Sequence, residues 1–131
     1  MKILIAEDDR TSRWALQAIL TKAGYEVLAA TDGEEAWQVM QLEDPPPIVL
    51  VDWMMPEMTG LEFCRKVRAS AALGSTYIIF LTNKRQKEDV KVGMESGAND
   101  YICKPFNRKD LLTRLQAAEE KIKSQSSLGN T

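Results

Sequence analysis

Asp52 ends the apolar run Ile48-Val49-Leu50-Val51 and opens the segment Trp53-Met54-Met55-Pro56-Glu57-Met58-Thr59-Gly60. A short run of Ile, Val and Leu reads as a strand buried on both faces, and the Pro and Gly that follow read as a loop. A carboxylate thus stands at the C-terminal end of a buried strand, the edge at which open α/β sheets bind ligands and do chemistry. An aspartate there can act as a nucleophile or a metal ligand, or can simply cap the strand or the next turn. Three more polar groups occupy equivalent places. Glu7-Asp8-Asp9 follow Ile3-Leu4-Ile5-Ala6, Thr82 follows Phe80-Leu81, and Lys104-Pro105 follows Tyr101-Ile102-Cys103. Each has a plainer reading: an N-cap cluster on a helix dipole for the acids, a turn cap for Thr82, an exposed strand end for Lys104. The proline restricts Lys104 to extended backbone and so sets the direction in which it leaves the strand.

If the acids share one crevice, each pair of charges about 4 Å apart repels by roughly 4 kcal/mol at an effective dielectric of about 20. A cation among them relieves that repulsion. An oxygen-only ligand set favours Mg²⁺, with Mn²⁺ as its substitute. A hydroxyl and an ammonium at the same edge could hold phosphoryl oxygens. The chain contains no histidine. A Ser-His-Asp or Cys-His site and a His-liganded zinc or iron are therefore excluded, and any phosphohistidine must come from another molecule.

These groups need elements to position them. Strands are predicted at Lys2–Ala6, Glu26–Ala30, Ile48–Val51, Tyr77–Leu81 and Asp100–Cys103. Helices are predicted at Thr11–Ala23, Gly33–Gln41, Gly60–Ser70, Lys87–Ser96 and Arg108–Lys123. In the first helix Trp14, Ile19 and Leu20, with Ala15, Ala18 and Ala23, form an apolar stripe, Thr11 or Ser12 is a candidate N-cap, and Gly24 suits C′. Thr31-Asp32-Gly33-Glu34 opens the second helix, and Pro45-Pro46-Pro47 ends the loop after it. Alternating strands and helices imply an α/β fold: a doubly wound, five-stranded parallel sheet of flavodoxin-like order 2-1-3-4-5, with helices on both faces. In that order the first and third strands are neighbours, so Glu7, Asp8 and Asp52 meet at the topological switch point.

At 131 residues the chain has length for one domain. We expect the domain to span 1–123 and 124–131 to be a flexible polar tail or a truncated linker. A net charge of −2 gives no global pull toward nucleic acid or an anionic membrane. No apolar stretch approaches membrane-spanning length, and Cys64 and Cys103 are too far apart in the chain to read as a metal cluster, which suits a reducing cytoplasm.

Taken in order, Ile3–Asp9, Val49–Leu61, Phe80-Leu81-Thr82, Gly97–Tyr101 and Lys104-Pro105-Phe106 closely resemble the receiver domain of two-component response regulators, over roughly residues 2–120. The resemblance implies that Asp52 accepts a phosphoryl group. It implies that Glu7 and Asp8 hold Mg²⁺ together with Asp52 and the main-chain carbonyl of Met54, and that Thr82 and Lys104 contact the phosphoryl oxygens. Tyr101 would turn inward when Thr82 is recruited, or else be an ordinary core aromatic; Asp9 falls outside the metal pair. A histidine kinase or phosphotransfer protein would be the donor. The face of helix four, strand five and helix five would pass the signal to an output domain, a partner protein or a second copy of the chain. Such a protein is a signalling module rather than an enzyme, catalysing only its own phosphorylation and slow dephosphorylation. Met54 and Lys84 could screen the attacking water, Lys84-Arg85 with Lys87 could form a basic loop beside the phosphate, and Trp53 could report the charge on Asp52. The alternative is a phosphohydrolase with an aspartate nucleophile, but that chemistry wants a second acid where Met54 stands. In the last helix Leu111, Leu115, Ala118 and Ile122 recur at heptad spacing, which suits packing on the sheet or pairing with a second copy. The charged end of that helix reads slightly better as a linker to an absent output domain than as the end of a stand-alone receiver.

Overall fold

The computed structural model describes residues 1–84 and 86–129, with side chains through residue 125. Arg85 of the basic loop, Asn130 and Thr131 lie outside the described residues. Strands β1 (Lys2–Ala6), β2 (Glu26–Ala30), β3 (Ile48–Val51), β4 (Tyr77–Thr82) and β5 (Asp100–Cys103) alternate with helices α1 (Arg10–Lys22), α2 (Gly33–Met40), α3 (Gly60–Ala69), α4 (Lys87–Glu95) and α5 (Arg108–Gly129). All pairings are parallel and the order is β2-β1-β3-β4-β5.

Period-two alternation splits the strands between two cores. Leu4, Ala6, Val49, Val51, Ile78 and Phe80 face a layer built from Ala36 and Met40 of α2 and Phe63, Cys64 and Val67 of α3. Ile3, Ile5, Ile48, Leu50, Ile79 and Leu81 face Leu16 and Leu20 of α1 and Leu111, Leu115 and Ala118 of α5. Every residue of β3 is buried, as expected for a central strand covered on both sides.

The helix ends follow local chemistry with one correction. The α1 N-cap is Asp9, whose carboxylate accepts the Ser12 amide at 2.8 Å, rather than Thr11 or Ser12. The carboxylate accepts the orphan amide, so the helix starts at Arg10, one residue nearer the acids than expected. Asp32 caps α2, and Gly24 follows α1 at φ +99, the left-handed value that glycine takes without strain. The stripe expected on α1 is also turned. Leu16 and Leu20 are the buried pair and Trp14 is 76% exposed, with Ala15 and Ala18 outward. In α5 the expected stripe packs on the sheet, with Leu111, Leu115 and Ala118 fully buried and Ile122 half-buried, so these residues serve the chain's own core. The helix runs past Lys123 to Gly129. The serines and glutamine after Lys123 are ordinary helix residues, and glycine is the poor one.

Candidate functional site

Strand register determines what meets at the C-terminal edge of the sheet. Ala6 pairs with Val51 and Val51 with Phe80, so Glu7 and Asp52 leave neighbouring strands at the same level, while Thr82 pairs with Cys103. The backbone continues these ladders past the strand ends. Asp52 donates its amide to the Ala6 carbonyl at 3.0 Å, Glu7 donates to Ala30 at 3.1 Å, and Lys104 donates to Thr82 at 2.8 Å. The side chains therefore emerge from rigid backbone rather than from free loops. Gly60, first residue of α3, donates its amide to the Trp53 carbonyl at 2.9 Å. A Cβ at Gly60 would collide with the Asp52 carbonyl oxygen, so only glycine lets α3 start this close to the Asp52 backbone.

Lys104 holds the centre. Its ammonium donates to Glu7 Oε1 at 2.6 Å and to Asp52 Oδ2 at 3.2 Å. All three side chains are largely buried, at 14%, 3% and 12% exposure. Asp52 also accepts the Met54 amide at Oδ1, 3.2 Å away. Burial pushes the Glu7 carboxyl up to about 7, with Asp52 pressing in the same direction. Burial acts on Asp52 too, but hydrogen bonding to Glu7, the Lys104 charge and the Met54 amide outweigh it and draw its carboxyl below the usual range. Lys104 is raised because the pull of Glu7 and Asp52 exceeds the cost of its own burial. The two carboxyls are thus pushed in opposite directions, Asp52 toward the ionised form and Glu7 toward holding a proton, and the Lys104 ammonium between them favours the charged form of both.

Ligand oxygens of Glu7, Asp8 and Asp52 lie within 4.8 Å of one another, and Asp8 is exposed at the mouth. Glu7 Oε2 is buried with no hydrogen-bond partner. A buried carboxylate oxygen without a partner is costly. With three carboxylates converging on it and no nitrogen or sulfur donor, the site fits a hard divalent cation.

Tyr101 packs into an aromatic cluster, its ring 5.8 Å from Phe80 and 6.5 Å from Trp53 between centroids. Its hydroxyl donates to the Lys84 carbonyl at 2.9 Å. Burial pushes this phenol above its ordinary range. The Lys84 ammonium lies 5.7 Å over the Trp53 ring, and its amide donates to Thr82 Oγ1 at 3.4 Å. Lys84 thus ties Thr82, Tyr101 and Trp53 together, a link that spacing alone did not reveal. Met54 is 59% exposed beside the site. Arg13 and Gly60 were also missed. Arg13 depends on the rotation of α1 and Gly60 on its close approach to the Asp52 backbone, and neither carries a signal in the sequence.

The chain matches the response regulator receiver domain family over residues 3–116. It is similar to chemotaxis protein CheY1 of Helicobacter pylori, 36% identical over 117 residues that cover 88% of this chain and 94% of that protein. Among solved structures it is similar to the signal receiver domain of a signal transduction histidine kinase from Syntrophus aciditrophicus. That match has a TM-score of 0.86 and 32% identity, covering 93% of this chain and 92% of the other. It is also similar to the receiver domain of the sensor histidine kinase PA1611 from Pseudomonas aeruginosa, whose structure has a magnesium ion coordinated in the active site cleft. Here the TM-score is 0.80 and the identity 30%, over 88% of this chain and 94% of the other.

Proposed function

The chain belongs to the response regulator receiver domain family and is a phosphoacceptor module of two-component signalling, and from that premise we propose how its own residues carry the reaction. Asp52 is the phosphoacceptor. The convergence of Glu7, Asp8 and Asp52 around the Lys104 ammonium is the observation that carries this reading. Asp52 is drawn toward its ionised form and seated on rigid backbone, with 12% of its side chain exposed, as suits a nucleophile. A carboxylate oxygen of Asp52 attacks the phosphorus of a phosphohistidine on a partner kinase or phosphotransfer protein. The phosphorus–nitrogen bond breaks, the imidazole keeps the electron pair and takes up a proton, and Asp52 becomes a mixed acyl phosphate. Lys104 follows the charge from the carboxylate to the phosphoryl oxygens, and the Thr82 hydroxyl donates to one of them. Glu7, Asp8, Asp52 and the main-chain carbonyl of Met54 would hold Mg²⁺ or Mn²⁺, whose chemistry when bound is to neutralise charge on the transferring group.

The output is a conformation. New phosphoryl oxygens need donors, and Thr82 shares the β4–α4 connection with Lys84, which binds the Tyr101 hydroxyl. Recruiting Thr82 shifts that connection and, with it, the surface of α4, β5 and α5, where an output domain, a partner or a second copy reads the state. Water then hydrolyses the acyl phosphate slowly. Two free thiols suit a reducing cytoplasm, and no helix among the described residues is long and apolar enough to cross a membrane.

Incubation with Mg²⁺ and acetyl phosphate, followed by intact mass measurement, tests this reading. The protein should gain one hydroxylamine-labile phosphate and Asp52→Asn should gain none. Equal labelling of Asp52→Asn would overturn the assignment.

A further inference from the structure

Arg13 is a charged residue on the buried side of α1. At 3.6 residues per turn it lies in line with Leu16 and Leu20, the two buried residues of that helix. Among the described residues it forms no ion pair with any carboxylate. Its guanidinium instead reaches back across the helix N-terminus, where Nη1 donates to the Glu7 carbonyl at 2.8 Å and to the Asp8 carbonyl at 3.3 Å.

Those two bonds complete a chain of constraints. The peptide before Glu7 is held by the sheet through the Ala30 carbonyl. The peptides after Glu7 and after Asp8 are held by Arg13. Asp9 is held by its cap on Ser12. Every peptide plane that sets the direction of the Glu7 and Asp8 carboxylates is therefore fixed. The need is physical: the carboxylates of Glu7, Asp8 and Asp52 repel one another, and an unrestrained loop would swing Asp8 toward water. Charge-assisted hydrogen bonds to carbonyls are strong enough to resist that.

We infer that Arg13 is a positioning residue for the cation site: it holds the Glu7–Asp8 backbone so that both carboxylates face Asp52. The inference rests on the reading of Glu7 and Asp8 as cation ligands and separates from it by sign. Were Arg13 only a nearby positive charge, removing it would tighten cation binding. As a positioning group, its removal weakens binding.

Mn²⁺ titration of the full chain, read from the electron paramagnetic resonance signal of the free ion, decides the matter. Binding to the wild type that is lost in Asp8→Asn supports the site; absence of binding, or equal binding by Asp8→Asn, overturns the site reading whatever Arg13 does. With the site intact, Arg13→Met should bind Mn²⁺ about tenfold more weakly, the usual scale for losing an outer support of a metal ligand. Arg13→Lys keeps the charge but its shorter side chain does not bring the ammonium to both carbonyls, and it should also bind more weakly than wild type. If Arg13→Met does not fold, Arg13→Lys decides alone. Unchanged or tighter binding by a folded Arg13→Lys, or by a folded Arg13→Met, overturns the inference.

Discussion

Lys104 neutralises two buried carboxylates at once, so removing it strands both. Truncating one partner of a buried ion pair costs about 3 kcal/mol, because the remaining charge is left without compensation. We therefore expect Lys104→Met to lower the unfolding free energy in chelator by about 3 kcal/mol, measured by urea denaturation. Saturating Mg²⁺ should recover part of the loss by replacing the missing positive charge among Glu7, Asp8 and Asp52. A second change, Glu7→Gln, should recover part of it without metal. A loss that neither Mg²⁺ nor Glu7→Gln diminishes would show that Lys104 acts through packing instead. Residue types at strand ends were enough to place Asp52, Glu7, Asp8, Thr82 and Lys104 on one edge of the sheet from sequence, because parallel sheets put every strand's C-terminal end on one edge. What sequence could not show is that Lys104 bridges Glu7 and Asp52 directly, at 2.6 and 3.2 Å. Those distances depend on register and side-chain reach, which carry no one-dimensional signal.

At the scale of elements, α4 meets the switch through one missing side chain. A Cβ at Gly93 would lie 2.8 Å from Tyr101 Cε2 and 3.1 Å from Cδ2. In an exposed helix interior, Gly→Ala stabilises by about 1 kcal/mol. At Gly93 the extra methyl must displace the Tyr101 ring, and overpacking of this kind costs about 1–3 kcal/mol. The expected result for Gly93→Ala is no gain in Tm and a Tyr101 ring driven off its bond to the Lys84 carbonyl, visible as changed ring resonances in NMR spectra. A raised Tm with unchanged Tyr101 resonances would mean that α4 and β5 are not coupled at this contact. The alternation of elements was legible because the Ile/Val/Leu runs and the caps Asp32 and Gly24 signal it locally. The rotation of α1 was not. Trp14 counts as apolar in any pattern, yet the buried line through Leu16 and Leu20 continues to Arg13, which the sheet edge supplies with carbonyl acceptors. Tertiary polar partners overrode the hydrophobic pattern there.

For the molecule as a whole, the remaining question is how much of the chain the receiver needs. Two cores close the sheet, and the second depends on α5. Leu111, Leu115 and Ala118 are fully buried and Ile122 is half-buried against it, whereas Lys123, Ser124 and Gln125 are exposed. The helix itself continues to Gly129, so backbone conformation and packing end at different residues. We propose that packing defines the domain and that it closes at 1–123. Surface changes away from packed features alter stability by less than about 0.5 kcal/mol, which for a domain of this size is about 2 °C in Tm. A chain ending at Lys123 should therefore unfold within that margin and still take up phosphate from acetyl phosphate. A chain ending at Ala117 loses Ala118 and Ile122 from the second core and should lose several degrees or fail to fold. Thermal unfolding of the two shortened chains by circular dichroism separates the cases. A large loss in the chain ending at Lys123 would make residues 124–131 part of the folded unit, while equal stability of both chains would move the boundary inward and remove Ala118 and Ile122 from the core that supports β1 and, through it, Glu7.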